Sequence, residues 1–362
     1  MKYAFFLGAG ASKSCGAPLQ GELFREYFMI RQEKYRRKVG YDAEYDIERE
    51  IATLFQFMFG IDVDNGDLTL VNFPTFEEVL GLIDLAVIRK QTFKNFERAH
   101  YNLNSDSRLE KCRQYLTYLI GSLLYDKLHN VKNNHSNLIQ KLKSVGKLSD
   151  CVFLSTNYDI LIDNALSGTA FNCRSAPYYG FEFTNDNPEK DILRVPLYKL
   201  HGSLNWLYCP TCESMSLTSY KKGVIDLIRP PVNTLQDILC AQCESLKEYV
   251  IIPPTYFKEY SNYFINQVWH KAEQDLYKVE KIFFCGYSFP DADMQIKYLL
   301  KRIETNCKQP LHIYIANGYP NKSKEEKELE FKRYNRFFKY KENVNYLEYD
   351  FDSFIENLEN YL

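Results

Sequence analysis

Five short apolar runs in this 362-residue chain stop on the same kind of residue, and that repetition limits the folds open to it. YAFFL runs into Gly8-Ala9-Gly10 and CVFL into STNYD. VPLYKL is followed by His201-Gly202, KIFFC by Gly286, and LHIYIA by Asn317-Gly318. Runs of this length bounded by turn residues read as buried strands. Strands apolar on both faces belong to a parallel sheet covered by helices on both sides. In such sheets ligands bind beyond the carboxyl ends of the strands, and the glycines and polar residues fall at those ends. A last strand is expected at NVNYLEY, before a closing helix, DSFIENLENYL.

Between Leu19 and Lys147 the pattern turns helical. PTFEEVLGLIDLAVI carries a capping box, Thr75 with Glu78 three residues on, followed by apolar residues at helical spacing. LEKCRQYLTYLIGSLLYDKLH is a second amphipathic stretch, and GIDVDNGDLTL reads as a turn or short hairpin. The expected organisation is a discontinuous sheet domain of residues 1–30, 148–208 and 247–362. A mainly helical insertion at 31–147 and a small zinc-ribbon-like insertion at 209–246 interrupt it.

Net charge is −2, which does not mark a dedicated nucleic-acid binder. Tyr and Phe are abundant but aperiodic and read as packing. The apolar run before Gly8 is shorter than the roughly 7–15 residues of a secretion signal, and no run approaches the ~20 that span a membrane. A cytoplasmic location is expected. Four of the ten cysteines form two C-x-x-C pairs, Cys209/Cys212 and Cys240/Cys243. In a long chain with no secretion signal this points to reduced thiols and a tetrahedral Zn²⁺ site rather than disulfides. Four protein ligands close such a site, so the metal would be structural. Lys221, Lys222 and Arg229 lie between the pairs, but so do Glu213, Asp226 and Asp237, which weakens a nucleic-acid reading of the insertion.

Three stretches carry the chemistry. In LGAGAS, glycine allows a tight turn after a strand and lets backbone N–H groups approach a pyrophosphate. Lys13 stands where a full G-x-G-x-x-G would need glycine, and the same turn would also serve merely to join strand to helix. In STNYD, Asn157 and Asp159 are suited either to turn formation and helix capping or to holding a water or ribose hydroxyl. Of the six histidines, only His201 falls at an expected strand end beside glycine. Its intrinsic pKa suits a base at neutral pH, although a lone histidine is as readily structural.

Taken in order, GAGAS, STNYD, LHG, the cysteine pairs and FCGYSFPDAD resemble the sirtuin superfamily. The closer resemblance is to the divergent sirtuin-like domains of prokaryotic anti-phage defence proteins. It implies a Rossmann-like NAD-binding sheet, with Gly8, Ala9, Gly10, Ala11 and Ser12 on NAD and Pro18 at the position of the family's Gly-x-Pro. Thr156, Asn157, Tyr158 and Asp159 correspond to its Gln-Asn-x-Asp motif at the nicotinamide ribose. His201 corresponds to its catalytic histidine. Gly286, Tyr287 and Ser288 correspond to its later Gly-Ser loop on the adenosine side, with Asn317 as a further contact. Three departures stand out. Leu19-Gln20-Gly21 replaces Asp-Phe-Arg, Thr156 replaces Gln, and VIIPPTYFKEY stands where the family's peptide-clamping Phe-Gly-Glu is expected.

The resemblance therefore implies an NAD⁺ glycohydrolase that releases nicotinamide and ADP-ribose as a gated effector of anti-phage defence. Asn157, His201 and Asp159 would be its catalytic residues. A homo-oligomer, or a partner such as a DNA-translocating ATPase, would supply the gate. Two alternatives remain at this stage. One is an NAD-dependent protein-lysine deacylase, and the other is a non-catalytic module that binds NAD or ADP-ribose or serves as a partner scaffold. A nicotinamide dehydrogenase lacks its fingerprint.

Overall fold

The computed structural model describes residues 2–37, 43–94, 96, 108–128, 131–170, 173–186, 189–218, 239–251, 262–291, 293–319 and 322–362. The chain divides into two compact units, Met1–Ala17 with Leu128–Leu362, and Pro18–Lys127.

The first unit holds the strands β1 (Tyr3–Leu7), β2 (Cys151–Ser155), β3 (Gly168–Ala170), β4 (Cys173–Tyr178), β5 (Leu193–Lys199) and β6 (Gly202–Cys209). It continues with β7 (Ser214–Leu217), β8 (Glu248–Ile251), β9 (Lys281–Cys285), β10 (His312–Ala316) and β11 (Val344–Leu347). Eight of them form one sheet in the order β11-β10-β9-β1-β2-β5-β4-β3. Seven run parallel, and β3 pairs antiparallel at the edge. All five residues of β1, and of β2, are buried, so both faces of the sheet centre are covered. That is the α/β arrangement the apolar runs imply. Parallel register brings aromatic rings into a row: Phe153, Phe5, Phe283 and Tyr314 stack across four strands with centroids 5.0–5.3 Å apart. Each such pair adds about 0.5–1.5 kcal/mol beyond its burial.

The sheet is wound outward from β1, with β2, β5 and β4 on one side and β9, β10 and β11 on the other. The order reverses beside β1, and at such a reversal the chain leaves a crevice past the strand ends.

The boundary between the units falls at 17/18 and 127/128, not at 30/31 and 147/148. The helix Asn134–Ser144, amphipathic like those before it, packs against Leu161–Leu166 and Phe351–Glu356 and so belongs with the sheet. The cysteine-bearing segment lies in the same unit as an antiparallel sheet, β7-β6-β8. Its residues 219–238, with Lys221, Lys222, Asp226, Arg229 and Asp237, lie outside the described ones.

The second unit contains the helices Leu23–Arg37, Ala43–Phe59, Phe76–Ile88 and Arg108–Leu128. Phe24, Phe28, Phe55, Phe73 and Phe76 are buried together at its centre. The capping box is present: Thr75 Oγ1 accepts from the Glu78 N–H at 3.2 Å, and Glu78 Oε2 from the Thr75 N–H at 2.6 Å. GIDVDNGDLTL is a turn, with the Asp62 carboxylate accepting the Asp64 and Asn65 N–H groups. No described helix is long and apolar enough to cross a membrane.

Candidate active site

Loops leaving adjacent parallel strands must lie on one another, and here they meet backbone to backbone. The Gly8 N–H donates to Cys285 O (3.0 Å), the Gly10 N–H to Gly286 O (2.8 Å) and the Gly286 N–H to Ala316 O (3.3 Å), so the turns after β1, β9 and β10 are laced together. A Cβ on Gly8 would stand 2.5 Å from Gly286 O, and one on Gly10 would stand 2.7 Å from Gly286 Cα. On Gly286, whose φ is +65°, it would stand 2.0 Å from the Ala11 nitrogen. These three glycines are thus required by the seam between two loops, a cause independent of any ligand. Ala9 is half-buried, and Ala11 is fully buried beneath the seam.

Ser12, one turn further, links the end of β1 to the loop after β2. Its hydroxyl, 1% exposed, donates to Asp159 Oδ2 at 2.7 Å and accepts from Asn157 Nδ2 at 3.0 Å. The other hydrogen of Asn157 Nδ2 goes to Gly8 O at 2.9 Å. Because the serine proton is committed to the carboxylate, the amide must face Ser12 with its nitrogen, and Asn157 Oδ1 is left as the acceptor. Asp159 Oδ1 accepts the Leu161 N–H at 3.0 Å, at the first residue of the helix Leu161–Leu166, whose N-cap is Ile160.

A polar cluster that the sequence reading missed lies behind this loop. Lys199, the last residue of β5 and fully buried, donates to the Asp159 carbonyl and to Asp163 Oδ2 (3.2 Å). Asp163 Oδ1 also accepts from Tyr179 Oη at 2.6 Å and from Asn205 Nδ2 at 3.4 Å. The only sequence signal was a lysine inside the otherwise apolar run VPLYKL. His201 is buried in the turn between β5 and β6. That turn is tied to β2 by the Leu200 N–H donating to Ser155 O (2.9 Å), and to the loop after β2 by the Leu204 N–H donating to Tyr158 O (3.0 Å). The glycine after the histidine has φ +80°, and a Cβ there would lie 2.0 Å from Val250 O, so glycine alone fits. Thr156 is half-buried, its N–H donating to Leu7 O at 3.1 Å, and the Tyr158 side chain is buried.

On the β9 side, Tyr287 turns inward. Its ring packs 4.7 Å from Phe6, its hydroxyl donates to Asp293 Oδ2 at 2.7 Å, and burial raises its pKa. It contributes backbone to the loop, its carbonyl accepting from Asn317 Nδ2 (2.6 Å) and Tyr334 Oη (2.6 Å). Asn317 is buried and also donates to Glu330 Oε1 at 3.0 Å. Ser288 is exposed. Pro18 falls in the helical unit. VIIPPTYFKEY lies, from residue 252 on, outside the described residues.

The sulfurs of Cys209, Cys212, Cys240 and Cys243 lie within 4.8 Å of one another, with Cys209–Cys243 at 3.4 Å and Cys212–Cys240 at 3.5 Å. Disulfide sulfurs would be bonded at about 2.05 Å, whereas thiolates at the corners of a tetrahedral zinc site stand about 3.8 Å apart. The residue after each pair, Glu213 and Glu244, has a left-handed φ of 54° and 60°, so the two turns are built alike. The Gln242 backbone N–H, working against desolvation and aided by the Ser214 hydroxyl, holds the Cys240 thiol down to about 6. The donor set suits a soft, tetrahedral metal ion.

A family model described as a SIR2-like domain matches residues 151–338, more than half of the chain. No curated protein matches it. Among solved structures the chain is similar to Sir2 with a p53 peptide and NAD⁺, at 12% identity and a TM-score of 0.40, covering 99% of this chain and 92% of that one. It is also similar to Sir2 with an inhibitor, 2′-O-acetyl-ADP-ribose and a deacetylated p53 peptide, at 13% identity and 0.39, covering 99% and 93%. A third structure, from work on the mechanism and regulation of Sir2 enzymes, matches at 12% and 0.42 over 99% and 93%. Scores of this size leave the fold to rest on the strand order above and the family on the matched segment. With that segment running from β2 through the helix Lys324–Phe337, the chain belongs to the SIR2-like domain family.

Proposed function

We propose that this protein is an NAD⁺ glycohydrolase, cleaving the nicotinamide–ribose bond to give nicotinamide and ADP-ribose. Membership of the SIR2-like family supports the coarser step, an NAD-utilising enzyme of sirtuin type. The observation that carries the reading further is the directed hydrogen-bond chain from Asn157 through Ser12 to Asp159, which leaves Asn157 Oδ1 as a fixed acceptor.

Cleavage breaks the C1′–N bond, nicotinamide departs neutral, and positive charge develops on the ribose. Asn157 Oδ1 accepts a hydrogen bond from the attacking water or a ribose hydroxyl and so fixes its approach. His201 takes the proton that the new C1′–O bond releases, a role contributing about 10²–10⁴ in rate. Asp159, its carboxylate set by Ser12 and the Leu161 N–H, stabilises the developing cation. Gly8 to Ser12, Thr156, Tyr158, Gly286 to Ser288 and Asn317 would border the dinucleotide, with Pro18 at the family's loop position. The four cysteines would hold a structural Zn²⁺, closed to water. Unrestrained NAD loss is toxic, so the activity fits a gated effector of anti-phage defence. Its gate would be a homo-oligomer or a partner protein.

Product analysis of NAD incubated with the protein tests this, beside Asn157→Ala and His201→Ala, with and without an acyl-lysine peptide. Nicotinamide and ADP-ribose from the wild type alone, lost in both variants, is the expected result. Turnover only with peptide, giving O-acyl-ADP-ribose, would make the protein a deacylase instead.

A further inference from the structure

We propose that Lys199 and Asp163 form a charged pair that positions the Asn157–Asp159 loop for catalysis, an inference that rests on the hydrolase reading. A lysine with no exposed surface is costly to keep, and an apolar side chain of similar volume would stabilise such a place as well or better. Here the ammonium is directed at two acceptors, the Asp163 carboxylate and the Asp159 carbonyl. The second is the informative one. Asp159 is the residue whose carboxylate receives the Ser12 hydroxyl, and Ser12 orients the Asn157 amide. A continuous set of hydrogen bonds thus runs from Asp163 through Lys199, Asp159 and Ser12 to the acceptor that faces substrate.

Asp163 is itself held from three further places: its own helix Leu161–Leu166, Tyr179 after β4, and Asn205 on β6. Lys199 and Asn205 stand on the two strands that flank the His201 turn. One buried carboxylate therefore fixes, through one ammonium and one amide, the loop carrying Asn157 and both strands bordering the histidine. Lys199 is a positioning residue, since it reaches the reacting atoms only through Asp159 and Ser12.

The test compares Lys199→Met, Asp163→Asn and the double variant in the full chain. Readouts are melting temperature, NAD turnover with kcat and KM separated, and amide hydrogen exchange over residues 156–161. Each single variant leaves a buried charge without its counter-charge and is expected to melt lower. The double variant removes both charges and is expected to regain most of the lost melting temperature. Its kcat should remain about 10²-fold low with KM within about twofold, since no donor holds the Asp159 carbonyl, and exchange at 156–161 should stay fast. A double variant that regains wild-type kcat and exchange overturns the proposal and makes the pair purely structural. Wild-type kcat and exchange in Lys199→Met overturns it too. If the wild type does not hydrolyse NAD, the hydrolase reading falls and exchange alone decides. Persistent loosening in the double variant supports the positioning role, and recovery overturns it.

Discussion

Ser12→Ala removes one oxygen and tests the site's central joint. The hydroxyl makes a 2.7 Å bond to the buried carboxylate of Asp159 and accepts a 3.0 Å bond from Asn157. Hydrogen bonds to charged groups contribute about 1.5–3 kcal/mol. At 1% exposure no solvent replaces this one, and Asp159 is left with the Leu161 N–H as its remaining donor. The expected loss of folding stability is therefore about 2 kcal/mol. Asn157 is half-buried, so its freed N–H can meet water, but its amide loses one of the two partners that set its plane. If that orientation is worth about 1.4–2.8 kcal/mol in the transition state, kcat falls about 10–100-fold with little change in KM. Urea unfolding and chromatographic assay of nicotinamide release, under conditions where the wild type turns over, measure both. A variant destabilised as expected but with kcat within twofold of wild type would refute the argument that Ser12 holds the amide for catalysis.

Gly286→Ala must adopt φ +65°, costing about 1–2 kcal/mol, and drives a methyl to 2.0 Å from the Ala11 nitrogen. It should lower the melting temperature and abolish turnover, while Gly21→Ala, with nothing within 4 Å, should do neither. An active Gly286→Ala enzyme would sink the seam. Elemental analysis of the purified protein should find one zinc per chain, and Cys240→Ser should lower both zinc content and melting temperature. Cys307→Ser, outside the cluster, should not change either one. His135 is buried beside Phe351, and burial pushes its pKa down to about 4, with Asp159 and Asp163 opposing and Lys199 assisting. Its folded pKa thus lies below the unfolded ~6.5, and the unfolded chain binds the proton first. Stability is full above pH 6.5 and declines by up to about 3 kcal/mol as pH falls towards 4. His135→Phe should flatten that decline, and equal slopes for the two proteins would refute it.

The sheet centre was legible because β1, β2, β9 and β10 are short, apolar on both faces and stopped by glycine or polar residues. β4, CRSAPY, escaped because it carries Pro177 and a charged residue and lies towards the edge, where only partial burial is required. Asn157, Asp159 and His201 stood out by their place at strand ends. Ser12 was read as part of a phosphate turn, since a hydrogen bond spanning 147 residues leaves no local trace. Lys199 and Asp163 were hidden for the same reason, each unremarkable until the strands are side by side. The glycines stood out at their strand ends, but the seam that requires them did not, because a sequence does not show which second loop lies across the first. The helix Asn134–Ser144 carries the same amphipathic signature whichever unit it joins, so only its packing partners assign it.

The centre of the sheet also dictates how this chain can be made. β1 lies between β2 and β9, which follow it by about 150 and nearly 280 residues respectively. At about 5–20 residues per second on the ribosome, its β9 edge waits roughly 15–55 s for a partner. Until β2 emerges YAFFL is an unpaired, wholly apolar strand, and from then until β9 emerges it keeps one open edge, which places the hazard of misassembly in synthesis rather than in the finished molecule. Slowing translation after residue 155 should therefore raise the demand for chaperones more than slowing it after residue 285.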